Sequence, residues 1–443
     1  MAAIRRFEIE FTKDGKVFDQ AQVDAVEQAM TDLTDLLVFC HGWNNDIADA
    51  RTLSGQFLET VEDVLDGGIV PEVKDRTLGA VVVLWPSKKF TEEELIPGGG
   101  AAGLGGAADT AQLERMLADL KNDPDRLGEV RIPPEREKTV NRALELVPDL
   151  EKNPEARTEF VSLLRSLVTD ADAHAEDGSE EFFSLDEAEI FQEMGKTVVA
   201  PLGPQPGGSA GLRRNAGGAA GLKDVIGGVI GAARRIANFT TYYQMKQRAG
   251  TVGQKGLSQV LRRLRSRKPT LRLHLIGHSF GARVVTAAAD ALDADTPAIT
   301  LTLVQAAYSH NGLSAQFDGK NDGFFRKVLS EKRVSGPILI THTKNDTAVG
   351  IAYPLASRLS RTKASALGDE NDPYGGLGRN GAQFTPEAKG IAQTLAELTE
   401  AQPGPYQFAP GKVYNLKSDV ITDHSDICKH QVAYAILKAA AAV

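Results

Sequence analysis

Residues 271–292 read LRLHLIGHSFGARVVTAAADAL. An apolar run, LRLHLI, precedes the pentapeptide GHSFG at residues 277–281, and an alanine-rich stretch typical of a helix follows it. The pentapeptide matches the pattern G-x-S-x-G, in which small residues let the backbone turn sharply and leave the serine exposed between a strand and a helix. The strand–turn–helix context favours a nucleophilic Ser279 over the simpler alternative, an ordinary tight turn with a surface serine.

A sheet of parallel strands is predicted by short apolar runs that alternate with helical segments along the chain. Each run has five to seven residues, and many of these are β-branched, which favours strands over helices. The predicted strands are Leu36–Cys40, Ala80–Trp85, Leu271–Ile276, Ile299–Gln305, Pro337–Thr341 and Lys412–Leu416. Residues Arg6–Phe11 alternate polar and apolar side chains and predict an antiparallel edge strand. The predicted fold class is α/β, with a mostly parallel, doubly wound sheet.

The stretch between the second and third predicted strands is far longer than one crossover helix requires. It contains several polar, mostly acidic helical segments and two glycine-rich stretches, residues 97–106 and 203–231, which are unsuited to a sheet interior. We therefore predict a core formed by residues 1–90 and 240–443, and a helical, glycine-rich cap or lid insertion formed by residues 91–239.

Residues 222–239 have the most apolar helical pattern of this insertion, because their aliphatic side chains recur on one helical face. Two interpretations remain open. The segment is either a cap helix packed over the core or a mobile lid that meets a membrane surface when it opens. Only Lys223, Arg234 and Arg235 supply positive charge, so the packed cap is the favoured interpretation.

A serine is a weak nucleophile unless a base, an orienting acid and an oxyanion hole surround it. After this type of turn, the acid and the histidine are expected beyond later strands, in that order along the chain. Asp346 lies shortly after the predicted strand Pro337–Thr341, and His424 lies in a loop between the last predicted strand and a final helix. The sequence thus predicts a catalytic triad of Ser279, Asp346 and His424.

Weaker candidates exist for two of these positions. Asp322 and Asp372 are loop aspartates without a strand immediately before them. His430 is the alternative histidine, but it falls inside the predicted final helix, from which it is harder to direct at the serine.

The oxyanion hole requires two main-chain N–H groups that converge on one point. The amide of Phe280, directly after the nucleophile, is one candidate, and the amide of Trp43, in the loop after the first buried strand, is the other. The supporting positions of these two turns are His41, Gly42, Gly277, His278 and Gly281.

The chain resembles the α/β-hydrolase superfamily, and within it bacterial α/β hydrolases whose first loop reads H-G-[WY]-N-N. The stretches that carry the resemblance are LLVFCHGWNN, LHLIGHSFGARVV, ILITHTKNDTAVG and DVITDHSDI. The resemblance implies an α/β-hydrolase fold over residues 1–90 and 240–443 and hydrolysis through a serine nucleophile. It does not choose among esters, acylglycerols, phospholipids, thioesters and peptides as substrates.

Composition excludes several other classes of protein. The 59 acidic residues outnumber the 50 basic ones, which argues against a nucleic-acid partner. Two cysteines, Cys40 and Cys428, are too few for a disulfide framework or a multi-cysteine zinc site. No run of apolar residues is long enough to span a membrane, and the charged first residues do not form a signal peptide. We expect a cytoplasmic location and no metal or organic cofactor.

The sequence therefore predicts a serine hydrolase that cleaves carboxylic esters of small molecules or lipids. A lipase or phospholipase that acts at membranes through residues 222–239 is one alternative, and a non-catalytic binding protein with the same fold is another. An amidase or peptidase is less favoured. The acyl length of the substrate and the oligomeric state stay open.

Overall fold

A computed structural model describes residues 4–43, 46–87, 107–196, 228–294, 298–346, 349, 374–388, 392–395 and 406–443. Within these residues one sheet contains eight strands in the order β1-β3-β2-β4-β5-β6-β8-β7, and every neighbouring pair is parallel. The strands are β1 (Arg5–Glu10), β2 (Asp35–Cys40), β3 (Leu78–Leu84), β4 (Arg272–His278), β5 (Ile299–Val304), β6 (Ile338–His342), β7 (Ala392–Thr394) and β8 (Val413–Lys417).

The six strands predicted from apolar runs are confirmed, each within two residues of its predicted bounds. The direction predicted for the segment Arg6–Phe11 is wrong. It forms the edge strand β1, but β1 runs parallel to β3, with Arg5 opposite Gly79. Alternation of polar and apolar residues reports which face of a strand is buried, and it carries no information about direction. Strand β7 was not predicted from the sequence, because its three residues contain no apolar run.

Helices cover both faces of the sheet, so its central strands are buried on both sides. In β2, Leu37 and Phe39 face one hydrophobic core while Leu36 and Val38 face the other. The helices are α1 (Gln20–Ala29), α2 (Ile47–Asp66), α3 (Ala107–Leu120), α4 (Pro134–Leu146), α5 (Pro154–Arg165), α6 (Ser179–Ser184), α7 (Glu187–Gly195), α8 (Val229–Thr251), α9 (Ser258–Arg267), α10 (Phe280–Asp290), α11 (Lys327–Ser330), α12 (Leu377–Asn380) and α13 (His430–Ala441). None of the helices within the described ranges is both long and apolar enough to cross a membrane.

The long connection from β3 to β4 contains helices α3 to α9. Helix α8 runs from Val229 to Thr251, so it ends well beyond residue 239, where the sequence analysis ended it, and it crosses the predicted domain boundary at residue 240. It extends because Tyr242, Tyr243 and Met245 continue its buried surface. Residues 222–227 of the predicted helix lie outside the described residues, as do residues 97–106 and most of 203–231.

Buried charged side chains connect helix α8 to neighbouring parts of the protein. Lys246 is 1% exposed and its Nζ lies 2.5 Å from Oδ2 of the equally buried Asp177. Arg283, on α10, donates from Nε to the main-chain oxygen of Lys246 at 3.0 Å. Arg248 donates from Nη1 to the Pro86 carbonyl, just after β3, at 2.6 Å. The helix is thus joined both to the other helices of the insertion and to the elements around the sheet.

A second buried polar group lies at the amino-terminal ends of the central strands. His274 on β4 donates from Nε2 to Oδ1 of Asp35 on β2 at 2.9 Å, and Arg76 donates to the same oxygen at 2.8 Å. Nδ1 of His274 lies within hydrogen-bond distance of Oγ1 of Thr300 on β5, at 2.9 Å. Burial alone would raise the pKa of Asp35, but the hydrogen bond and charge of His274, with Thr34 and Arg76, lower it to about 2.

Candidate active site

Ser279 occupies the sharp turn between β4 and α10, at the carboxyl end of the sheet. Its backbone has φ 56° and ψ −123°, in the left-handed region that L-residues rarely adopt. The turn is held because the Ser279 N–H donates to Val304 O on β5 at 3.1 Å, while the Ser279 carbonyl accepts from Ala307 N at 3.1 Å. The sequence motif therefore forms the strained strand–turn–helix that it predicts.

Two glycines of the motif leave room for this turn. A Cβ on Gly281 would collide with the main chain of Cys40 and His41 at the end of β2, and a Cβ on Gly277 would collide with the main chain of Gly281 and Ala282. Helix α10 consequently begins in direct contact with the loop that follows β2.

His424 and Asp346, the predicted base and acid, form a pair. The His424 Nδ1–H donates to Oδ2 of Asp346 at 2.9 Å. Asp346 is fully buried, and the side chain of His424 is 20% exposed. Since a carboxylate only accepts, the neutral imidazole carries its proton on Nδ1 and keeps an acceptor lone pair on Nε2. This is the tautomer that a general base requires.

His278, directly before the serine, contacts the loop of the predicted base. Its Nε2–H donates to the main-chain oxygen of His424 at 2.8 Å, and the two imidazole rings lie 4.9 Å apart. Burial, together with the charge of His424, lowers the pKa of His278 to about 3, so this ring is neutral at pH 7. The contact brings the loop of His424, the predicted base, to the turn of Ser279, the predicted nucleophile.

The loop after β2 is oriented by His41. The His41 Nδ1–H donates to the Gly42 carbonyl at 2.8 Å, and burial lowers the pKa of His41 to about 4. Because the two sides of a trans peptide point in opposite directions, the Trp43 N–H points away from the His41 ring. A Cβ on Gly42 would lie 2.6 Å from the Ser279 Cβ, so this loop passes directly beside the nucleophile.

Phe280 and Trp43, the predicted oxyanion donors, are neighbours. Their rings meet edge to face with centroids 5.5 Å apart. Phe280 opens α10, so its N–H belongs to the first turn, where amides have no carbonyl partner within the helix. Tyr242 of α8 packs on the same Phe280 ring at 5.4 Å. Helix α8 therefore touches the residue that follows Ser279.

Gln305 is a buried neighbour of Asp346 that was not predicted as a site residue from the sequence. It is fully buried at the end of β5, and its Nε2–H donates to Oδ2 of Asp346 at 3.1 Å. The sequence placed it as the last residue of the predicted strand Ile299–Gln305. A polar residue at the carboxyl end of the strand beside β4 was the available signal, since parallel strands end at the same sheet edge.

The weaker candidates lie elsewhere or outside the described residues. Asp322 is exposed and accepts a hydrogen bond from Gln316 N at 2.9 Å. His430 lies on the surface, 59% exposed, 3.5 Å from Asp63 of α2. Asp372 falls outside the described residues, as do Asn44 and Asn45 of the HGWNN stretch.

In the part of the chain that the structure describes, no three His, Cys, Asp or Glu side chains are grouped as metal ligands would be. Comparisons of the chain with protein-family models, with curated proteins and with solved structures gave no match.

Proposed function

We propose that the protein is a serine hydrolase of the α/β-hydrolase fold that cleaves carboxylic esters through an acyl-enzyme. Ser279 attacks the ester carbonyl, and Nε2 of His424 accepts its proton. Asp346 holds the imidazole and stabilises its charged form. The amides of Phe280 and Trp43 stabilise the oxyanion. His424 then protonates the leaving alcohol and activates the water that releases the acid.

One observation carries this proposal: Ser279 sits in a strained left-handed turn beside the loop of a histidine whose tautomer is fixed by a buried aspartate. Strain of this kind costs about 1 to 3 kcal/mol and persists at functional sites where the surrounding structure imposes it. A binding protein with no chemistry to perform would have no use for an imidazole held in this tautomer next to the turn of a strained serine.

The helical insertion acts in this proposal as a cap that shapes the acyl pocket. Between Gly231 and Phe239, nearly all the described side chains of α8 are buried, and Tyr242 packs against Phe280. These contacts support the packed cap over a lid that lies on a membrane. The proposed substrate is accordingly a small-molecule ester that enters beneath the insertion.

The first test is labelling and turnover. We expect the wild-type protein to react with a fluorophosphonate probe at Ser279 and to hydrolyse p-nitrophenyl esters, with a preferred acyl length. Ser279→Ala should lose both activities, and Ser266→Ala, which alters an exposed serine of α9, should lose neither.

The outcome that contradicts the proposal is ester turnover by Ser279→Ala at the wild-type rate, or a folded wild-type protein that neither hydrolyses esters nor reacts with the probe. The second result would favour a non-catalytic binding protein. Flotation with liposomes addresses the membrane alternative, because the proposed enzyme should remain unbound.

A further inference from the structure

Gln305 makes four hydrogen bonds with its buried neighbours. Its main-chain N–H donates to Oγ1 of Thr341 at 3.1 Å, and the Thr341 hydroxyl donates back to Gln305 Oε1 at 2.8 Å. Its Nε2 then donates to Asp346 Oδ2 at 3.1 Å and to the Gly378 carbonyl at 3.3 Å. The orientation of the amide is thus assigned, because the threonine end requires an acceptor and the aspartate end requires a donor.

The backbone of Gln305 supports a specialised role. It has φ 46°, a left-handed value that costs energy for a residue with a Cβ. This conformation ends β5 and keeps the Gln305 side chain within reach of Asp346 on the loop after β6. A residue needed only for packing gains nothing from a strained backbone.

Gln305 and His424 share one oxygen of the acid. Oδ2 of Asp346 accepts from His424 Nδ1 at 2.9 Å and from Gln305 Nε2 at 3.1 Å, while Oδ1 accepts from Val349 N at 3.0 Å. Three donors fix the plane of the carboxylate. The amide also withdraws negative charge from the oxygen that faces the imidazole, and thereby limits how strongly Asp346 stabilises the imidazolium.

We propose that Gln305 is a positioning residue for catalysis, which fixes the Asp346 carboxylate and sets the basicity of His424 through their shared oxygen. The inference rests on the proposed hydrolase function. It adds a fourth residue, from the end of the strand next to β4, to the three that the sequence predicts.

The test replaces the amide NH2 group of Gln305 with a carboxyl oxygen. Gln305→Glu has the same shape, but the introduced carboxyl can donate to Asp346 only while it is protonated. Once it is ionised, two carboxylates face each other, and their charge favours protonated His424. We expect kcat at pH 7 to fall roughly 10- to 100-fold with KM within about threefold, the range typical of a lost hydrogen bond to a charged group. The acid limb of the kcat/KM profile should move to higher pH.

Two further variants cover the case in which a buried carboxyl prevents folding. Gln305→Met keeps the length of the side chain and removes the donor, and Thr341→Val removes the hydroxyl that orients the amide. Both variants should lower kcat, as Gln305→Glu does, and the decrease should be smaller in Thr341→Val. Wild-type kcat and an unshifted acid limb in the folded Gln305→Glu or Gln305→Met protein would overturn the proposal.

A readout that needs no substrate separates this inference from the proposed function. The pKa of His424, followed by NMR, should rise in Gln305→Met and rise further in Gln305→Glu, whether or not the protein hydrolyses esters. An unchanged His424 pKa in both variants contradicts the role of Gln305 even if esters are cleaved. An absence of ester turnover in the wild type, with the pKa shifts present, contradicts the hydrolase proposal alone.

Discussion

His278 links the turn of Ser279 to the loop of His424 through its Nε2 atom. Nε2 donates to the His424 carbonyl, whereas the buried Nδ1 has no hydrogen-bond partner among the residues that the structure describes. A side chain that supplies an N–H at the Nε2 position should therefore be sufficient. This makes the position suitable for a matched pair of substitutions.

We predict that His278→Gln, whose terminal amide reaches the Nε2 position, retains kcat within about threefold. His278→Asn, which reaches only the Nδ1 position, should lower kcat by roughly tenfold, since one buried hydrogen bond contributes about 1 to 1.5 kcal/mol. The measurement is steady-state turnover, with the rate of fluorophosphonate labelling as a second readout. Equal rates in the two variants would mean that the contact does not position His424.

Helix α8 is fixed to the protein by ion pairs of two buried cations, Lys246 and Arg248, which favours the proposed packed cap. Lys246 lies in a 2.5 Å pair with Asp177, and Arg248 lies 2.5 Å from Asp123. Opening such a helix would expose or separate charges that the folded protein has already removed from water. Breaking one partner of a buried pair is costly because the other charge stays buried and unpaired.

We predict that Lys246→Met lowers the free energy of unfolding by about 3 to 5 kcal/mol, because the Asp177 carboxylate then stays buried without its cation. The double variant Lys246→Met, Asp177→Asn should recover a large part of this loss, because neither charge then remains. Denaturant unfolding of the wild type, both single variants and the double variant gives the coupling between the two residues. A loss below about 1 kcal/mol in the single variant would show that the pair does not hold the helix.

Asp35 makes the stability of the folded protein depend on pH in the acid range. Its pKa is lowered to about 2 in the folded protein, against 3.8 for the ordinary group. A lowered pKa contributes stability that is fully present above about pH 4 and is lost as the pH falls towards 2. The shift corresponds to about 2 kcal/mol, with roughly half of it lost by pH 3.

We predict that Asp35→Asn reduces the decline in the free energy of unfolding between pH 5 and pH 3 by about 1 kcal/mol, whatever its effect at neutral pH. Comparing how the free energy of unfolding changes with pH in the two proteins cancels any constant loss of stability from the altered contacts with Arg76 and His274. Urea unfolding of both proteins at several pH values makes the measurement. If the free energy of unfolding falls equally steeply with pH in both proteins, the acid sensitivity arises from other carboxylates.

The sequence predicts the parts of this molecule that depend on local patterns. Apolar runs locate six strands, and the motif around Ser279 locates the nucleophile turn, because both follow from residues that are close in the chain. The direction of β1, the extent of α8 and the role of Gln305 depend on distant partners. Lys246 looks like a surface cation until Asp177 is seen beside it, and Gln305 looks like the end of a strand until Asp346 is placed against it.

The contact between His278 and the His424 carbonyl spans 146 residues of chain. A ribosome that adds about 5 to 20 residues per second needs roughly 7 to 30 seconds to cover that distance. During this interval the nascent chain already contains Ser279 but not His424, and for most of it β6 still lacks β8, its sheet neighbour. In the proposed mechanism, ester cleavage therefore begins only after residues 413–424 have been synthesised and residues 413–417 have joined the sheet as β8.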